Sequence, residues 1–222
     1  MLQPSTLKFL RDLGKNNNKP WFESNRASYD AAKTDFEDFL QMVINEHGKK
    51  DETIRDLVAK KCTFRINRDI RFSKDKTPYK TNMGGSLNRG GKKSVFSGYY
   101  IHVEPGGKSF VGGGLWMPMP EEMKKVRQEI DYNVAEFRSI VESKKFKSIY
   151  GGLDTSDEFS LKKIPQGFEA DNPAAQYLKL KSWVATKNLS DAEMTATTLT
   201  KQVISALETL QPFIGFINRA IG

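Results

Sequence analysis

Ser94-Val95-Phe96-Ser97-Gly98-Tyr99-Tyr100-Ile101-His102-Val103-Glu104 and Ser109-Phe110-Val111-Gly112-Gly113-Gly114-Leu115-Trp116 flank Pro105-Gly106-Gly107. β-branched and aromatic residues dominate both runs, so they read as strands, 94–104 and 109–116. Proline followed by glycine at the centre of a four-residue turn suits type II geometry, which needs a positive φ at its third residue. The pair is therefore an antiparallel hairpin. In its first arm Val95, Tyr99, Ile101 and Val103 share one parity, while Phe96 and Tyr100 occupy the other. Apolar residues on both parities imply a strand covered on both faces. Gly112-Gly113-Gly114 implies a bulge, or a close approach of backbone or ligand.

Upstream, Phe64, Ile66, Ile70 and Phe72 alternate with polar residues, which predicts another strand over 63–72. Arg68 breaks the pattern by falling on the apolar parity. Residues 73–91, punctuated by Pro78, Gly84-Gly85 and Gly90-Gly91, read as a loop. Before this lie a short helix bearing Leu7, Leu10 and Leu13, and a long one from Pro20 to about His47-Gly48. The second carries Phe22, Tyr29, Phe36, Phe39, Leu40, Val43 and Ile44 at helical spacing. A shorter helical segment follows around Ile54-Leu57-Val58.

Downstream, Pro120-Glu121-Glu122 opens a helix with core stripe Met123, Val126, Ile130, Val134, Phe137 and Val141. Phe159–Leu161 and Ser182–Thr186 read as short strands, the latter at an edge. Asn172-Pro173 starts a short helix. Ser190-Asp191-Ala192-Glu193 is a capping box. A last helix, through Leu199, Val203, Leu207 and Leu210, is expected to kink or break at Pro212. The whole reads as α+β: one domain over 1–222, with an antiparallel β-sheet covered by long amphipathic helices. Its helical start covers about 4–58, its sheet and basic loop about 62–116, and its mainly helical remainder about 120–221.

The 222 residues hold 35 Lys+Arg and 27 Asp+Glu, a net charge of +8. The surplus is local. Between Lys60 and Lys93 stand eleven Lys/Arg and only two acids, Asp69 and Asp75, so the rest of the chain is nearly neutral. Such concentration suggests an anionic partner; a solvated edge strand guarded by positive charge would look the same. The candidate ligand-binding residues are Arg65, Arg68, Arg71, Ser73, Lys74, Lys76, Tyr79, Lys80 and Asn82. Arg65, Asp69 and Arg71 share a strand face, where one carboxylate can hold two guanidinium groups and leave donors free. A buried Arg68 requires an acid, Glu104 or Asp69. Gly84-Gly85 would let backbone N–H groups approach a ligand. The glycine–lysine–hydroxyl spacing of a nucleoside-triphosphate loop is absent, as is G-x-G-x-x-G.

A single cysteine, Cys62, excludes a disulfide framework and a multi-cysteine zinc site. With only His47 and His102 as histidines, no metal or cofactor is expected. Catalytic candidates are Asp69, His102 and Glu104; the last two share a strand face, as a base and its orienting carboxylate would. No secretory n-region opens the sequence and no apolar run reaches membrane-spanning length, so a cytoplasmic protein without a membrane partner is expected. Oligomeric state stays open.

The run Arg68-Asp69-x-Arg71-Phe72-Ser73-Lys74-Asp75-Lys76-x-Pro78-Tyr79-Lys80 resembles the central signature of the family called domain of unknown function 2461. Phe9-Leu10-x-x-Leu13, Asn17-Asn18-Lys19-x-Trp21-Phe22, Tyr99 to Pro105, Gly112 to Trp116 and Pro165-x-Gly167-Phe168 are similar to its other motifs, along nearly the whole chain. The resemblance implies an α+β domain and supplies no catalytic residues. Three functions follow from the residues themselves. One is binding of a phosphate-bearing small molecule or nucleic acid at 65–82. Another is an enzyme on a small anionic substrate, with an Arg/Lys clamp and Asp69 or His102 as base. The third is a purely structural motif.

Overall fold

A computed structural model describes all residues, 1–222. Its α-helices are α1 Pro4–Lys15, α2 Lys19–Ser24, α3 Arg26–His47, α4 Ala59–Cys62, α5 Pro120–Tyr132, α6 Val134–Val141, α7 Lys144–Tyr150, α8 Ala175–Leu178, α9 Asp191–Thr195 and α10 Leu199–Ile221. The strands are β1 Met83–Asn88, β2 Gly98–Val103, β3 Ser109–Leu115 and β4 Trp183–Leu189. They form one antiparallel sheet in the order β1-β2-β3-β4. The fold is therefore α+β, with the hairpin and the edge strand where alternation places them.

The chain packs as two compact units. The first comprises Met1–Leu87, Tyr100–Val111 and Asn188–Ser205. Here α1 and α3 bury Leu7, Leu10, Leu13, Phe36, Phe39, Leu40 and Ile44. Each such side chain contributes roughly 1.5–3 kcal/mol of apolar burial. The long helix expected from Pro20 is broken at Asn25, where φ is −112° and ψ is 21°. The Asn25 amide donates to the Trp21 carbonyl at 2.9 Å, a side-chain bond that competes with helix propagation. Asn18 caps the new start by accepting from the Trp21 N–H at 3.0 Å.

The second unit comprises Asn88–Tyr99, Gly112–Lys187 and Ala206–Gly222. Phe137 packs against Tyr177 and Phe216 with centroids 5.0 and 5.1 Å away. Trp183, fully buried, donates its indole N–H to the Tyr177 carbonyl at 3.0 Å. Arg219 ties α10 to α5 and α6 through Glu129 and Glu136, at 2.8 and 2.7 Å. Another asparagine, Asn133, divides the helix expected over 120–141 into α5 and α6. α10 runs unbroken through Pro212, which is exposed. The break expected there does not occur.

Four sheet expectations need correction. Phe159–Leu161 forms no strand, only a single bridge of Ser160 with Leu180. Residues 63–72 are no regular strand; their backbone pairs with the chain's return at two isolated antiparallel bridges, Thr63 with Gly85 and Asn67 with Tyr79. Of the alternating side chains Ile66 is buried, whereas Phe64 is 43% and Phe72 95% exposed. The strand is instead β1, inside the segment read as loop. Its glycines serve packing: a Cβ on Gly85 would strike the Leu40 side chain of α3, and one on Gly84 the Tyr100 ring. The Gly112-Gly113-Gly114 run likewise marks close backbone approach. Cβ atoms there would run into the Ala185, Gly98 and Trp183 carbonyl oxygens in turn. Finally, β2 is covered on one face only within the first unit. Ile101 and Val103 are fully buried, while Tyr100 and His102 are half-buried.

Candidate anion-binding site

The basic segment folds as a narrow ribbon closed by a loop, all within the first unit. The Phe64 N–H donates to the Gly84 carbonyl at 3.0 Å, Lys80 to Ile66 at 2.8 Å and Arg68 to Pro78 at 2.9 Å. Residues 69–77 form the loop beyond. Tyr79 anchors the return arm. Its ring is buried and lies 4.0 Å, centroid to centroid, from that of Phe22, nearly parallel. The Asn17 side chain holds its backbone from both sides, accepting its N–H at 3.1 Å and donating to its carbonyl at 2.9 Å. Tyr79 thus faces the core, not a ligand.

Inside the loop, cations and acids are largely matched. Arg68 donates to the Asp75 carboxylate and the Thr77 hydroxyl, and more loosely to Ser73 Oγ at 3.4 Å. Its acid is thus Asp75, not Glu104 or Asp69. Asp75 also accepts the Thr77 N–H at 2.9 Å. The Thr77 N–H, followed by Arg68, holds the Asp75 carboxyl down at about 2, against an ordinary 3.8. Asp69 holds Arg71 by two side-chain bonds, at 3.0 and 2.6 Å. The Arg71 fork lowers the Asp69 pKa, with Arg65 only a minor contributor, so the expected sharing of one carboxylate by two arginines does not occur. A carboxylate so paired is a weaker base, and Asp69 makes no hydrogen bond or ion pair with His102. Lys76 donates to the Ile70 carbonyl at 3.0 Å.

Three cations of the ribbon and loop bond neither an acid nor a backbone carbonyl through their side chains: Arg65 and Lys74, both exposed, and Lys80, half-buried. Burial pushes the Lys80 ammonium below its ordinary pKa, and the Arg65 charge adds to this. Asn82 is half-buried just ahead of β1.

Beside Lys80 runs a row of rings that the sequence shows only in part. The Lys80 Nζ is 5.7 Å from the Phe64 centroid. Phe64 neighbours Tyr100 at 6.2 Å, and Tyr100 neighbours Phe110 at 5.7 Å. Phe110 stacks on His102 at 4.7 Å with ring planes 11° apart. His102 Nε2 and Glu104 Oε2 are 3.1 Å apart, and Lys108 approaches Glu104 at 3.5 Å. The shared parity of 100, 102 and 104 was readable. Phe64 and Phe110 were not, because their place depends on which strands pair. Burial raises the Tyr100 hydroxyl pKa, so it stays protonated at neutral pH. No group of three or more His, Cys, Asp or Glu side chains converges as a metal site. No helix is long and apolar enough to cross a membrane.

Neither the curated proteins nor the solved structures compared contain a significant match to this chain. Residues 5–216 match the family described as conserved hypothetical protein (DUF2461), and the chain belongs to that family.

Proposed function

We propose that the ribbon binds a phosphate-bearing ligand, with Arg65 and Lys80 as its principal contacts and Lys74 as a more exposed one. The observation that carries this reading is the Arg65–Lys80 pair. They lie on facing arms of the ribbon, where the Lys80 N–H bonds Ile66, the neighbour of Arg65, at 2.8 Å; Lys80 is half-buried, and no acid bonds either side chain. Burial, with a smaller contribution from Arg65, lowers the Lys80 pKa. An anion between them would relieve both penalties, which gives it a favourable electrostatic term. Arg68, Arg71 and Lys76 bond within the loop, so a structural role accounts for them but not for this pair.

Inorganic tripolyphosphate, titrated calorimetrically at low salt, tests the reading. Arg65→Ala with Lys80→Ala should weaken its binding at least tenfold and flatten the salt dependence. Unchanged affinity in the double variant would sink the proposal. A second reading, an enzyme on a small anionic substrate, draws on the 3.1 Å His102–Glu104 pair at the far end of the ring row. Its signature is phosphate-ester turnover that His102→Gln abolishes while tripolyphosphate still binds.

A further inference from the structure

The anion site leaves one conspicuous residue unused. Phe72 sits at the turn of the loop with 95% of its surface exposed. Nothing in its own sequence suggests exposure, since alternation puts it on the apolar parity with Ile66. The loop does not leave it there through looseness. Arg68 draws Ser73, Asp75 and Thr77 together behind the turn. Asp69 fixes the Arg71 guanidinium, which lies 5.8 Å from the Phe72 centroid. Exposed Lys74 follows two residues later. A flat ring is thus held outward on a braced turn, with a guanidinium beside it and a free ammonium next along the chain.

Resting on the anion-binding reading, we infer that the ligand is a single-stranded nucleic acid and that an unpaired base stacks on Phe72. The chemistry selects this class. An exposed ring offers a π-face to any base, and the free Lys74 ammonium two residues on can take a neighbouring phosphate. A duplex keeps its base faces covered by stacking and offers the ring nothing. A lipid surface is disfavoured because Phe72 is the one large apolar side chain that the loop exposes, too little apolar area to hold the chain on a bilayer.

The test uses the full chain and a fluorescein-labelled oligothymidylate of about 15 nucleotides, followed by anisotropy. Phe72→Ala, which removes only exposed surface, should weaken binding roughly 5- to 100-fold, the effect of losing one stacked base. The salt slope and the tripolyphosphate affinity should not move, because the cations remain. Phe72→Trp should retain affinity and lose indole fluorescence as the oligonucleotide binds. If Phe72→Ala binds the oligonucleotide as the wild type does while Arg65→Ala with Lys80→Ala does not, stacking is wrong and anion binding stands. If wild type binds neither oligonucleotide nor tripolyphosphate, both readings fall. If wild type ignores the oligonucleotide but binds phosphatidylserine vesicles in a Phe72-dependent way, the tip is a membrane wedge and the inference is overturned.

Discussion

Arg68 shows how one side chain turns a charge surplus into a shape. Its guanidinium has five donors and no acceptor, so three separate oxygens can be gathered around it. It finds them on Ser73, Asp75 and Thr77. The Asp75 end of this arrangement can be followed by proton. Its folded pKa lies below the unfolded one, so its contribution to the loop is complete above 3.8 and drains away as pH falls towards about 2. An NMR titration of the Asp75 carboxyl carbon should have its midpoint near 2. Arg68→Ala should raise that midpoint only part of the way, because the Thr77 N–H is the larger influence. Lys80 obeys the opposite rule. Its pKa is lowered in the free protein, and a bound anion would raise it, so binding takes up protons where Lys80 is partly neutral. Tripolyphosphate affinity should therefore decline with rising pH at values below the 10.5 of an ordinary lysine. Lys80→Arg should move that decline to higher pH; an identical profile in the two proteins would contradict the placement of Lys80 in the site.

Elements were legible wherever a long hydrophobic period met an unambiguous stop. The hairpin, the capping box at Ser190 and the edge strand at Trp183 all lie where turn chemistry and alternation put them. Boundaries failed at Asn25 and Asn133, since an asparagine inside a good helical stripe leaves the stripe unchanged: Asn25 bonds the Trp21 carbonyl through its side chain, while Asn133 breaks the helix by its backbone, at φ −121° and ψ 38°. The misassigned strand has a different cause. Residues 63–72 have the pattern of a half-buried strand but too few pairing partners, whereas Met83–Asn88 has the partners and, being glycine-rich, almost no pattern. Pairing is a tertiary fact and overrides local preference. Within α10 the unbroken course through Pro212 points to Gly215 as its avoidable weakness. Gly215 is helical and exposed, with open space where a Cβ would go. Gly215→Ala should stabilise the protein by about 0.5–1 kcal/mol, read as a rise in Tm.

Over the whole molecule the charge surplus was easy to locate and hard to interpret. Counting placed it between Lys60 and Lys93, but counting treats every cation alike. Folding separates the six of the ribbon and loop: Arg68, Arg71 and Lys76 bond within the loop, while Arg65, Lys74 and Lys80 make no such bond and are the ones proposed for a ligand. That division depends on which acid each cation reaches across a loop. The side chains beyond the motif, Phe64 and Phe110, enter the same face only through strand pairing.

The first unit also fixes an order of events. The Asp191 carboxylate accepts the Gly106 and Gly107 N–H groups at 2.9 and 3.0 Å and pairs with Arg11, 180 residues earlier. The Leu2 N–H likewise donates to the Met194 carbonyl at 3.1 Å. During synthesis α1, α3 and the basic ribbon leave the ribosome long before α9 exists. They must wait, with their α9-facing contacts unmade, until residues near 205 emerge. Contacts of such wide separation close late and slowly. The basic segment therefore spends its early life attached to a half-built core.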